Sequence, residues 1–121
     1  MTGADWTVVF AAEAAADLAL IEEHLISAYR ACGESLSEAR QRAEVRIEAI
    51  ITTAERLCTA ADRAESQDDL LPGLRHLALD IAGYWFVPDP HTRQTRALAV
   101  FFGAQDHQRH MLVRLLQKGM R

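Results

Sequence analysis

The chain has 121 residues, half of them hydrophobic and a quarter charged, with a net charge of −4. That length argues for a single domain over 1–121, able to bury roughly two-thirds of its unfolded surface without staples. The apolar content excludes intrinsic disorder, and no apolar run approaches the roughly 18 residues of a membrane span. Met1 to Phe10 has no basic stretch and carries Asp5, the pattern expected of a chain without a secretory leader. Cys32 and Cys58 both fall in helical patterns and read as small buried apolar residues in a reducing cytoplasm. The charge is unevenly spread. Residues 1–69 hold 6 Lys/Arg against 14 Asp/Glu, whereas residues 70–121 hold 7 against 3 and four of the five histidines. An acidic front meets a basic back, and only the back suits an acidic protein or a phosphate backbone.

Taken in chain order, Trp6-Thr7-Val8-Val9-Phe10 is a β-branched, aromatic first strand. Leu18, Ile21, Leu25, Tyr29 and Cys32 then recur at spacings of three and four, one stripe of an amphipathic helix. Gly33 supplies the left-handed stop, and Ser35 with Glu38 forms a capping box that starts the next helix. Ala43, Ile47, Ile50, Ala54, Leu57 and Ala61 make the second stripe, widened by Ile51 and Cys58. The short gap forces an antiparallel helical hairpin within residues 6–64.

Glu65 to Asp69 is a polar break and Pro72-Gly73 a turn. Beyond it the period changes to two. Arg75, Leu77, Leu79 and Ile81 alternate with His76, Ala78 and Asp80, and an aromatic strand Tyr84-Trp85-Phe86-Val87 follows Gly83. Pro88 to Thr92 is a turn with a polar extension to Thr95. Arg96, Leu98, Val100 and Phe102 then alternate with Ala97, Ala99 and Phe101. Short turns make these an antiparallel meander. Asp106 caps a last helix from His107 to about Lys118. The order β-α-α-β-β-β-α is an α+β fold: a strand and an antiparallel helical hairpin packed on a β-sheet meander, with a short C-terminal helix.

Little chemistry is spelled out. His107 and His110 lie at i, i+3, but no third ligand is near, so a metal site is not expected and no cofactor is implied. With Arg114, these histidines suit a phosphate or acid–base work, against the plain reading of a solvated helix face. Arg75 and Arg96 could clamp phosphates from strands, with Tyr84 or Trp85 stacking on bases, although central-strand aromatics are more often core. No glycine-rich phosphate loop, Ser-His-Asp pattern or paired-carboxylate signature appears.

Three stretches together resemble the RelE/ParE superfamily of type II toxins: Phe10 to Leu18 with its Asp-Leu pair, Leu71-Pro72-Gly73-Leu74-Arg75, and Ala99 to His107. The resemblance spans nearly the whole chain. It implies a cytoplasmic bacterial toxin, neutralised by a cognate antitoxin in a hetero-oligomer and associated with plasmid stabilisation, without a membrane and without binding DNA alone. ParE-like members poison DNA gyrase, whereas RelE-like members cut messenger RNA, many of them on the ribosome, without a metal. The ribonuclease reading would use Arg75, Arg96, His107, Arg109 and His110 as catalytic groups. Against it, Phe102 stands where several nucleases keep a basic residue or histidine, and an acidic chain attracts RNA weakly. The ParE-like branch is therefore favoured, with the ribonuclease as the alternative and a non-toxic, antitoxin-binding relative as a third. In either case Arg75, Tyr84, Arg96, Phe102, Arg109 and Arg114 are the residues expected to hold the antitoxin.

Overall fold

The computed structural model of the protein describes residues 6–79, 82–103 and 107–117, with backbone alone for 60–61 and 107–110. β1 (Thr7–Phe10) leads into α1 (Ala12–Ala31) and α2 (Leu36–Thr53). Two short 3₁₀ turns flank α3 (Leu57–Ala60), and β2 (Glu65–Ser66), β3 (Arg75–Leu79), β4 (Ala82–Asp89), β5 (Gln94–Phe102) and α4 (His107–Gln117) follow. The expected α+β architecture is present. The expected cap at Asp106 lies outside the described residues.

The helical hairpin ends where local chemistry requires. Gly33 takes φ 100°, and its amide donates to Arg30 O at 3.0 Å while that of Glu34 donates to Tyr29 O at 3.2 Å. That bond pair is a Schellman stop. Two residues later the Ser35 hydroxyl accepts from the Glu38 amide at 3.1 Å, and the Glu38 carboxylate accepts from the Ser35 amide at 2.9 Å. The second helix is less regular than its stripe implied. It tightens into a 3₁₀ turn at Ala54–Arg56, and Ile51 lies outside the core at 41% exposed.

Five strands form one sheet in the order β1-β5-β4-β3-β2. The meander is antiparallel, while β1 lies parallel to β5 and pairs only with Gln94–Ala97. β2 occupies part of the stretch read as a polar break, with Glu65 opposite His76. The turn after β4 begins at residue 90, so Gln94 and Thr95 are strand rather than loop. The simple alternation expected from Arg96 to Phe102 fails at one place. Trp85 pairs with Ala99 and Phe86 with Ala97, leaving Leu98 as an extra residue in a bulge. Ala97 and Val100 therefore face the hairpin, whereas Leu98, Ala99 and Phe101 face the other way.

Both sheet faces are covered. Leu18, Ile21 and Leu25 of α1 with Ile50 and Leu57 pack on Tyr84, Phe86 and Val100, each large side chain contributing about 2 kcal/mol of burial. On the opposite face Trp85, Ala99 and Phe101 meet Leu74, Met111 and Leu115. Tyr84 and Trp85, adjacent in sequence, thus belong to two different cores. Cys32 is exposed and Cys58 half-buried, not the pair of buried thiols expected, because Cys32 sits at the hairpin tip where no layer covers it. No helix among the described residues is long and apolar enough to cross a membrane.

Candidate functional site

The most elaborate polar arrangement lies where β1 stops. Beyond Ala97 no strand among the described residues lies beside the outer edge of β5, so its backbone groups need other partners. Asp17 on α1 supplies one: its Oδ2 accepts from the Val100 amide at 2.9 Å, in a residue 5% exposed. Arg114 reaches the same point from α4 on the other face. It donates to Asp17 Oδ1 at 2.5 Å and Oδ2 at 2.7 Å, and to the Leu98 carbonyl at 3.4 Å. The bidentate pair holds the guanidinium above its ordinary pKa, chiefly through the hydrogen bonds it donates to Asp17. It closes an open strand edge and ties both helical layers to β5.

Arg114, expected to hold an antitoxin, is half-buried and bonded to Asp17 and to the Leu98 carbonyl of β5. Sequence reasoning passed over Asp17, yet a signal was there. Ala14, Asp17, Leu18 and Ile21 occupy one apolar stripe, and a lone carboxylate on such a stripe demands a buried partner.

The remaining expected site residues are scattered. Tyr84 is wholly buried, its hydroxyl donating to Ile50 O at 2.7 Å, so it is a core residue and not a contact surface. Phe102 is half-buried and packs on the hairpin-side core. Arg75 opens β3 opposite Phe86, which places it on the hairpin side of the sheet. Arg96 is exposed opposite Val87, on the other side. The register therefore separates the two arginines that a phosphate clamp would bring together. The side chains of His107, Arg109 and His110 lie outside the described residues. Among the described residues no three His, Cys, Asp or Glu side chains gather as for a metal.

The Pro72-Gly73 entry to β3 is a closed loop, not an open turn. Asp68 accepts from the Ser66 hydroxyl at 2.7 Å and from the Gly73 amide at 2.8 Å, and Gln67 N donates to Leu74 O at 2.8 Å. The Ser66 bond, then the Gly73 amide and the charge of Arg75, hold the Asp68 carboxyl below its usual range. A shallow concavity of about 690 Å³ lies elsewhere, at the hairpin tip, lined by Tyr29, Glu34, Arg42 and Val45 among others. There Arg42 pairs with Glu34 and stacks 4.1 Å above the Tyr29 ring, which rigidifies the tip.

No protein-family model matches the chain, and no curated protein matches it either. Among solved structures, a chain of the chromosomal ParDE TA system from P. aeruginosa superposes with a TM-score of 0.60 at 18% identity. The match covers 81% of this chain and 96% of that one. The two chains share a fold. The strand, helical hairpin, meander and C-terminal helix stand in the order expected from the sequence.

Proposed function

We propose that the chain is the toxin of a type II toxin–antitoxin pair, ParE-like, neutralised by a cognate antitoxin and acting on DNA gyrase. The observation that carries the reading is the fold shared with the ParDE chain across nearly all of that chain's length. It gains support from how the described residues treat the nuclease alternative. An RNA-cleaving member needs cations and acid–base groups converging on one phosphate. Arg75 and Arg96 lie on opposite faces, and the aromatics that would stack on bases are buried in two cores. The overall charge of −4 also gives little long-range attraction to RNA.

Mechanistically, such a poison acts by binding, with no bond made or broken by its own side chains. The surface available for that is helical: a capped, rigid hairpin on one side and α4 on the other. The test is direct. Purified chain added to gyrase and relaxed plasmid is expected to reduce supercoiling or accumulate cleaved DNA, and the antitoxin to reverse the effect. Unimpaired supercoiling at a large excess of the chain would remove gyrase as the target.

A further inference from the structure

The outer face of α2 carries charges in two rows. With Val45 as the reference and about 100° per residue, Arg42 and Arg46 lie about 60° and 100° to one side, and Glu48 and Glu44 lie about the same angles to the other. Ala49 and Thr52 continue the Val45 line between the rows. All of these residues are exposed, Val45 at 65%. Each row sets like charges at i, i+4, Arg42 with Arg46 and Glu44 with Glu48, a spacing that repels within one helix. Arg42 is bonded to Glu34 and lies over Tyr29. Arg46, Glu44 and Glu48 have no ion-pair partner among the described residues.

The surface beside Val45 is also indented. The concavity of about 690 Å³ at the hairpin tip reaches Val45 from the N-terminal half of the helix. A second, of about 400 Å³ and lined by Glu48, Ala49 and Thr52, reaches it from the C-terminal half. Val45 is thus a ridge between two hollows, the relief with which helices interdigitate.

Two-fold symmetry turns the rows into a match. With the axis running along the helix, two parallel copies of α2 meet at Val45, and the arginine row of each faces the glutamate row of the other, so every contact is made twice. With the axis running across the helix, antiparallel copies bring arginines against arginines and glutamates against glutamates. The pattern therefore selects one occupant and one orientation. A nucleic acid would meet the glutamate row, and a bilayer would find too little apolar surface.

We propose that the outer face of α2 is a self-association surface, on which a second copy of this chain docks with the two helices parallel. The proposal is independent of the toxin reading. One helix face is at the small end of interface sizes, so the dimer is weak and forms in the micromolar range.

Sedimentation velocity of the whole chain at low salt, from about 5 to 500 µM, is expected to show a monomer–dimer equilibrium that weakens as salt rises. Arg46→Glu and Glu44→Arg/Glu48→Arg should each lower self-association at least about tenfold, with circular dichroism unchanged because these positions are exposed. An equimolar mixture of the two variants is expected to associate again, since each supplies the charge the other lost. Leu20→Asp, on the exposed side of α1 at 63%, is the control and should dimerise as the unaltered chain does. Should a charge variant fail to fold, Val45→Asp replaces it with the same expected loss. Orientation is read by adding Thr52→Cys to a Cys32→Ser/Cys58→Ser chain, where oxidation is expected to join two copies at position 52, as only parallel helices allow. A charge-dependent dimer without that link overturns the orientation. A monomer throughout the concentration range overturns the proposal, as does a dimer indifferent to every α2 variant. A monomer whose α2 variants instead weaken a complex with the product of the neighbouring gene would give the face to that protein and overturn self-association.

Discussion

Asp17 and Arg114 show how one residue pair can set the shape of an edge. A carboxylate buried on α1 is costly unless fully bonded, and here the Val100 amide and the two terminal guanidinium nitrogens of Arg114 complete it. Removing one partner leaves the other uncompensated. Asp17→Asn is expected to cost about 3 kcal/mol and to lower the melting temperature by roughly 10 °C. Asp17→Ala/Arg114→Met should lose clearly less than the sum of its single substitutions, as two coupled residues do. Additive losses in calorimetry would show that the pair is not a unit. The cysteines make a second residue-scale contrast. Cys32 is exposed, whereas burial pushes the Cys58 thiol up, opposed in part by its bond with Thr95. Thiol titration of the native protein is expected to modify Cys32 rapidly and Cys58 slowly; equal rates would contradict that placement.

At the scale of elements, the stop at Gly33 and the start at Ser35 rest on bonds within five residues of sequence. Ser35→Ala is expected to cost about 1 kcal/mol, read as a lower urea midpoint with an unchanged slope. Tyr84→Phe should cost a similar amount, about 1 kcal/mol, because its hydroxyl joins β4 to the last turn of α2. These elements also show what was legible beforehand. Hairpin, caps and meander could be read because stripes, glycine and capping residues act locally. The Leu98 bulge, the parallel pairing of β1 and the two-sided burial of Tyr84 and Trp85 depend on strands distant in sequence. The candidate site was legible least of all. Charge clustering along the chain brought Arg75 and Arg96 together on paper, but strand register decides their faces, and it sends them to opposite ones. Conversely Asp17, an anomaly on an apolar stripe, became intelligible only through a residue 97 positions away.

For the whole molecule, two surface carboxylates contribute to the acid limb of stability. Glu38 is held below its ordinary 4.5 by the backbone and side-chain bonds with Ser35, and Asp68 below its ordinary 3.8 by Ser66, Gly73 and Arg75. A depressed carboxylate stabilises the fold above its unfolded pKa and loses that contribution as pH falls through the folded one. Thermal stability is therefore expected to decline below about pH 4, and the gap between the protein and Ser35→Ala should narrow over the same range. The acidic hairpin and basic sheet end also divide the surface by sign, so partner binding is expected to depend on salt. The function proposed above is that of a binding poison, on a fold shared with the ParDE chain. It is tested most directly by inducing the chain in a sensitive bacterium and following growth, messenger RNA and nucleoid supercoiling within minutes. Growth arrest with intact messenger RNA and lost supercoiling or broken DNA, relieved by the partner, is the predicted result. Rapid messenger cleavage with normal supercoiling would contradict it and make the chain a ribonuclease.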